Sequence, residues 1–337
     1  MVPATIITGF LGSGKTTLIN QLIKKPKMDK IALIINEFGE IGLDNLLIES
    51  SIENTLVLEN GCICCSIRGD LVDTIINLFA KAENNEIPSF NRIVIETTGL
   101  AIPGPIVASI TDDIVVSKKC ELNNVITLVD APQGIRQIKQ HNEAKVQISQ
   151  SNLCVITKCD LASESEIKLL EENLDEINPI SNYKHIKNGE IDPDYLFQNL
   201  QLDRLIEIDE HHHSHHKHNH SHHKHNHLDQ DRNLLEHDNV RSCSFLISED
   251  VDESRLRTWL AMLYSLRPFS MLRLKGIVKL NTFEMPILLQ AVGTTFYDPT
   301  IIEKWPSEDK LSRLIIIFKD ISEKSMRDSF SKYVLEQ

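Results

Sequence analysis

Four short segments carry the residue types that do chemistry, and the spacing in each narrows what that chemistry is. Gly9-Phe10-Leu11-Gly12-Ser13-Gly14-Lys15-Thr16 fits G-x-x-x-x-G-K-[ST]. In such a loop the glycines let backbone N–H groups converge on phosphate oxygens, the lysine adds positive charge at the β and γ positions, and the hydroxyl suits a Mg²⁺ ligand. Gly9, Gly12, Ser13, Gly14, Lys15, Thr16 and Thr17 are the candidate phosphate contacts, with Lys15 also a candidate catalytic residue. Further on, Glu96-Thr97-Thr98-Gly99 offers a carboxylate for the Mg²⁺ shell beside Thr16 and a glycine N–H for a γ-phosphate. Taken alone, E-x-x-G describes a strand end and a turn equally well. Thr157-Lys158-Cys159-Asp160 matches the base-reading N-K-x-D pattern except at Thr157. Asp160 can accept from both N1–H and the exocyclic amine of guanine, a donor pair that adenine lacks, while Lys158 would lie across the ring. The competing use of Asp160 is a helix cap after a strand.

The fourth segment is Gly61-Cys62-Ile63-Cys64-Cys65. Three thiols this close can hold one Zn²⁺ or Co²⁺, and three ligands leave a position open, which suits an ion that is passed on. In an extended chain Cys62 and Cys64 point one way and Cys65 the other, so a turn must bring them together; otherwise Glu40 or the nucleotide completes the shell. Buried or redox-active thiols without metal are the alternative use. Eleven of the seventeen residues from His211 to His227 are histidine. That tract is a reservoir for Zn²⁺, Co²⁺ or Ni²⁺, or simply a polar spacer.

Elements must hold these segments. β-branched runs at Ala4–Thr8, Ile31–Asn36, Arg92–Glu96, Asn124–Asp130 and Leu153–Thr157 alternate with helical spacing, as in Leu18, Ile19, Leu22 and Ile23 before Pro26, and in Leu71, Val72, Ile75, Ile76 and Phe79. This alternation predicts a mostly parallel sheet covered by helices. Ser163 and Glu166 form a capping-box pair ahead of a further helix. Beyond the histidines, strands are predicted over Ser242–Ser248, Met271–Leu280 and Leu314–Phe318, with a helix over Glu253–Tyr264.

The expected fold is therefore α/β with a P-loop NTPase sheet, plus a smaller C-terminal α+β domain. The expected division is a nucleotide-binding domain at 1–202, a His-rich disordered linker at 203–240, and the second domain at 241–337. The formal charge of -13 argues against a nucleic-acid partner, which would want a basic face. No apolar run approaches the roughly 20 residues of a membrane helix, and the first residues lead into the phosphate loop instead of a cleavable signal, so a cytoplasmic protein without membrane contact is expected. Crowding of three of the seven cysteines fits metal binding better than a disulfide framework.

Assembled, these residues resemble the CobW-like GTPases of the CobW/HypB/UreG group, relatives of the GTPases that mature urease and hydrogenase. The resemblance rests on G-F-L-G-S-G-K-T-T-L, N-E-F-G-E-I-G-L-D at Asn36–Asp44, E-N-G-C-I-C-C-S-I-R-G-D-L at Glu59–Leu71 and E-T-T-G-L-A at Glu96–Ala101. It continues through Val129-Asp130-Ala131, T-K-C-D, Asn178-Pro179 and R-L-K-G-I at Arg273–Ile277. It implies GTP hydrolysis to GDP and phosphate, with Mg²⁺ as cofactor and delivery of zinc or cobalt to a client metalloenzyme. Carried over, Lys15 and Thr16 serve phosphate and Mg²⁺, Glu96 the Mg²⁺ shell, Lys158 and Asp160 the base, and Cys62, Cys64 and Cys65 the metal. Asn36–Asp44 would be a switch in which Glu37 is a candidate catalytic residue and Glu40 a candidate metal ligand. A nucleotide-dependent homodimer is an assembly the resemblance allows. Departures are Ile102, Ser151-Asn152, Thr157 in place of asparagine, and Ile35 where some relatives carry glutamate. A cobalt-handling protein of cobalamin biosynthesis, an ATP-dependent kinase and a metal buffer without turnover are the competing readings.

Overall fold

A computed structural model describes residues 1–25, 28, 30–36, 56–59, 67–198, 202–207 and 240–336. Glu37, Glu40, Cys62, Cys64, Cys65, Pro26 and the His211–His227 tract lie outside the described residues. The chain forms two compact units, Met1–Gln201 with Val292–Thr295, and Leu202–Ala291 with Phe296–Gln337.

The first unit is built on strands β1 (Val2–Gly9), β2 (Ile31–Asn36), β3 (Leu56–Glu59), β4 (Arg92–Thr97), β5 (Cys120–Asp130), β6 (Leu153–Thr157) and β7 (Asn182–His185). They lie in the order β3-β2-β4-β1-β5-β6-β7, and the neighbours pair parallel. Strands covered on both faces need apolar residues at successive positions, which is why Ala4, Ile6 and Ile7 of β1 are all fully buried. Helices α1 (Lys15–Leu22), α2 (Ile67–Glu83), α3 (Pro103–Thr111), α4 (Gly134–Gln140), α5 (Asn142–Ser149) and α6 (Glu164–Ile177) connect the strands. One buried cluster joins Leu18, Ile19 and Leu22 of α1 to Ile7, Leu33, Val94, Ile126 and Val155 of five strands. Ser163 caps α6 by accepting from the Glu166 amide, and the Glu166 carboxylate returns the bond to the Ser163 amide, the reciprocal pair that the sequence predicts.

The central runs thus form the sheet that their β-branched composition predicts. The edge strands β3 and β7 are additional: β3 has only four residues, and β7 reads Asn-Tyr-Lys-His, too polar to stand out as a strand. After β4, on one side of β1, the chain crosses to β5 on the other side. A crevice at the carboxyl ends of these strands is where open α/β sheets bind ligands.

The second unit holds a sheet ordered β11-β10-β9-β13-β8, with β8 (Arg241–Ile247), β9 (Met271–Val278), β10 (Ile287–Val292), β11 (Thr295–Phe296), β12 (Thr300–Ile301) and β13 (Ser312–Phe318). Its central pairs are antiparallel. Helices α7 (Glu253–Leu266) and α8 (Glu323–Phe330) contribute to the core that alternate sheet residues line, among them Cys243, Phe245, Leu274, Leu314, Ile316 and Phe318. Gly276 belongs to the same register: a Cβ there would stand 2.7 Å from both the Arg313 carbonyl oxygen and Leu314 Cδ1. Trp259 of α7 is fully buried. It meets Phe330 edge-on at 4.9 Å between ring centres, and its Nε1 donates to Ser329 Oγ at 3.0 Å.

Trp259→Ala is expected to destabilise the chain by about 3–5 kcal/mol through the cavity it leaves, measured by urea unfolding. Trp259→Phe, which keeps most of the ring volume, should lose clearly less.

Candidate nucleotide site

The segment between β1 and α1 turns tightly because three of its residues sit at positive φ: Gly9 at 146°, Gly12 at 77° and Gly14 at 93°. At Gly9 space is the stronger constraint, since a Cβ would lie 2.5 Å from the Leu128 carbonyl oxygen. Gly14 caps α1 without any side-chain bond to the first amides of the helix, so these donors and the helix dipole face the loop.

Every carbonyl from Gly9 to Gly14 accepts a hydrogen bond. Lys15 Nζ donates to the oxygen of Gly9 at 2.8 Å, and the Ser13 amide to that of Phe10 at 3.1 Å. Gln137 Nε2 of α4 reaches the Leu11 oxygen at 3.2 Å, Lys158 Nζ the Gly12 oxygen at 2.8 Å and Thr157 Oγ1 the Ser13 oxygen at 2.8 Å. The Leu18 amide closes the series on Gly14 at 2.9 Å. A trans peptide holds its N–H opposite its C=O. Fixing the oxygens therefore orients the amides, which is what a cradle for phosphate requires.

Beside the loop, Thr16 Oγ1 donates to Glu96 Oε1 at 3.3 Å, and Glu96 is buried at 2% exposure. Parallel pairing of β1 and β4 sets Ile7 opposite Glu96, so the carboxylate emerges level with the start of the loop. A hydroxyl and a carboxylate together are hard oxygen donors of the kind that suit Mg²⁺. Gly99 is pressed against the loop: a Cβ there would meet Leu11 Cδ2 at 2.5 Å and the Leu11 amide nitrogen at 2.9 Å.

At the end of β6, Lys158 takes up the left-handed conformation, φ 56°, and the chain enters a short 3-10 turn over Cys159–Leu161. Thr157 is buried and Asp160 exposed. The residue preceding that turn is Lys158, with no side-chain cap bond, so Asp160 does not act as its N-cap. Lys158 also pairs with Asp130 at 2.5 Å, and the other Asp130 oxygen accepts from the Gln133 amide at 2.8 Å.

Thr157 thus ties the Thr157–Asp160 segment to the loop although asparagine is absent. Asp130 and Gln137 are parts of the site that residue-by-residue reading passes over; a carboxylate at the carboxyl end of β5 was the signal for Asp130, whereas nothing local marks Gln137. Phe10 stacks on His141 at 4.5 Å between ring centres, which gives that histidine a contact with the loop that its sequence neighbours do not suggest.

The four remaining cysteines are all among the described residues. Cys120, Cys154, Cys159 and Cys243 are free and buried. Burial pushes the Cys120 and Cys243 thiols up to about 12 and also raises Cys159. Among the described residues no three His, Cys, Asp or Glu side chains are gathered to hold a metal, and no helix is long and apolar enough to cross a membrane.

A parallel sheet, a glycine-rich loop opening a helix and a Thr16–Glu96 pair beside it define a P-loop nucleotide-binding fold. The chain belongs to the CobW/HypB/UreG family: its nucleotide-binding domain profile matches residues 3–184, and the cobalamin synthesis protein CobW C-terminal domain profile matches residues 240–334. It is 38% identical over 196 residues to the zinc chaperone YjiA of Escherichia coli K12, an alignment covering 58% of this chain and 61% of that one, less than two thirds of the relative's length. It is 30% identical to a zinc chaperone CobW of a Sinorhizobium species over 99% of this chain and 97% of the other. The crystal structure of Zn(II)-bound YjiA GTPase from E. coli superposes with a TM-score of 0.72 at 25% identity, covering 98% of each chain.

Thr157→Val removes the donor to the buried Ser13 carbonyl at nearly unchanged volume. GDP affinity should fall about tenfold, as an orphaned buried acceptor implies, while Thr157→Ser retains it. A fluorescent-GDP titration reads both, and a valine variant equal to wild type would show that the tie does not govern the loop.

Proposed function

We propose that this chain is a GTP-hydrolysing metallochaperone that carries zinc on Cys62, Cys64 and Cys65 and delivers it to a client metalloprotein, with metal affinity set by the nucleotide state. The observation that carries the nucleotide half is the loop whose carbonyls are all engaged, beside the Thr16 and Glu96 oxygens. Gly9 to Thr17 bind the phosphates, and Lys15 supplies charge at the β and γ oxygens. Thr16 and Glu96 would hold Mg²⁺, which neutralises charge developing between the β- and γ-phosphates. The Gly99 amide meets the γ-phosphate, and Asp160 reads the guanine edge with Lys158 lying over the ring. Water attacks the γ-phosphorus, the bond to the β–γ bridging oxygen breaks, and GDP and phosphate leave; Glu37 in the Asn36–Asp44 switch is a candidate catalytic residue.

The metal half rests on the thiols and on the relatives. The buried thiols raised by their surroundings leave the C-x-C-C segment as the place for thiolate ligands. The names of the relatives, two zinc chaperones and a Zn(II)-bound GTPase, favour zinc over cobalt as cargo.

Coupling has a topological support. The cysteine segment is flanked by β3, ending at Glu59, and by α2, beginning at Ile67. Glu59 pairs with Ile35 of β2, and Ile35 with Glu96 of β4. The segment therefore leaves the sheet level with the Mg²⁺ carboxylate and two strand spacings away, about 10 Å. A nucleotide that moves Asn36–Asp44, the connection between β2 and β3, acts on the strand from which the thiols depart. By linkage, whatever factor GTP adds to zinc affinity, zinc adds to GTP affinity.

Zinc affinity measured by competition with a chromophoric chelator should differ at least fivefold between the GTP-analogue and GDP states, and equal affinities would remove the coupling. Cys64→Ala should weaken zinc binding and leave GDP binding largely intact, while Lys15→Ala should weaken nucleotide binding and remove the dependence of zinc affinity on nucleotide; metal uptake unaffected by Lys15→Ala would point to a metal buffer instead. A chain preferring ATP to GTP would instead point to a kinase.

A further inference from the structure

Helix α5 buries a long polar side chain among apolar neighbours. Gln147 lies between the buried Val146 and Ile148 and is itself 0% exposed. A carboxamide taken out of water is tolerated where it finds hydrogen-bond partners. Its partners here are two backbone oxygens of one turn: Nε2 donates to Gly99 at 3.2 Å and to Ala101 at 2.9 Å. Both hydrogens of the amide group are thereby used. Oε1 has no partner among the described residues, so the donors alone orient the group, and turning it over would set Oε1 against two carbonyl oxygens. The backbone behind the side chain is fixed as well, because Thr127 Oγ1 of β5 donates to the Gln147 oxygen at 2.9 Å.

The turn so held is the one that follows Glu96. The Ala101 amide donates to the Thr98 oxygen at 3.2 Å, closing four residues, and Thr97 Oγ1 reaches the same oxygen at 3.1 Å. That oxygen and the Gly99 amide belong to one trans peptide and point opposite ways, so the bonds to Thr98 aim the Gly99 amide. Gln147 fixes the next peptide through the Gly99 oxygen. With both flanking peptides tied, Gly99 loses the backbone freedom that its missing side chain would otherwise give it. The preceding helix, α4, treats the phosphate loop alike: Gln137 holds the oxygen of Leu11, the residue against which Gly99 is pressed.

We propose that Gln147 is a positioning residue for the γ-phosphate: its carboxamide holds the 98–101 turn so that the Gly99 amide stands ready for GTP, and it is indifferent to GDP, which has no group at that position. This role rests on the reading that the Gly99 amide meets the γ-phosphate. A buried glutamine that only satisfied two carbonyls would support the fold as a whole and would not tell one nucleotide from the other.

The test uses the full chain with Mg²⁺ and a fluorescent GDP, displaced in parallel by GDP and by the non-hydrolysable analogue GMPPNP. Gln147→Met keeps the length of the side chain and removes the donors. Its affinity for GMPPNP should fall about tenfold, as two lost hydrogen bonds imply, while that for GDP stays within about twofold. Equal losses for both nucleotides, or no loss for either, would overturn the role and leave Gln147 as packing. If the methionine variant does not fold, Gln147→Asn, one methylene too short to reach both oxygens, is read in the same way, and an unchanged GMPPNP-to-GDP ratio there overturns it equally. The GTPase reading fails by a different result. Wild type that binds neither guanine nucleotide, or binds ATP in their place, takes both proposals down, whereas wild type that binds both, with an unchanged ratio in the variant, removes only the part assigned to Gln147.

Discussion

The phosphate loop depends on where its carbonyl oxygens go. A glycine-rich turn is floppy by composition, and a cradle for phosphate needs amides that already converge. Here the oxygens of Leu11, Gly12 and Ser13 are captured by Gln137, Lys158 and Thr157, three side chains from the α4 and β6 region. The conformational cost of ordering the loop is thus met during folding, before nucleotide arrives, and distributed over elements that the sheet must bring together in any case. Gly99 adds a steric wall: with hydrogen in place of a Cβ it fits where any larger residue would push on Leu11.

The same arrangement explains the Lys158–Asp130 pair. An aspartate at 3% exposure needs compensation, and it receives both a lysine and a backbone amide. Lys158 in turn divides its donors between that carboxylate and the Gly12 oxygen, so the charge that stabilises the end of β5 also restrains the loop. The Thr157–Asp160 segment, the loop and the end of β5 are joined through one ammonium group.

Most of the first sheet was legible because its information is local. Each inner strand is a short β-branched run, and the loop, the capping box at Ser163 and the Glu96 segment are contiguous patterns whose meaning does not depend on distant partners. Thr157 shows the limit. Its side chain replaces the expected asparagine yet bonds to Ser13, 144 positions earlier in the chain, and only the parallel register of β1, β5 and β6 makes that visible. Gln137 and the Phe10–His141 stack are hidden for the same reason. Strand β3 was not legible because it has only four residues, and β7 because its Asn-Tyr-Lys-His sequence is polar, as an edge strand allows. In the second unit β8, β9 and β13 were read from the sequence and β10 to β12 were not; a lysine and an arginine at alternate positions of β9 look like a solvated face, and their burial is a tertiary fact.

Four of the seven cysteines share one environment: they are free and buried. Cys154 and Cys243 are fully enclosed, and burial pushes the Cys243 thiol up to about 12 because a thiolate removed from water is costly. Such residues fill volume as small apolar groups. Loss of one buried cysteine is therefore a packing defect, read on stability.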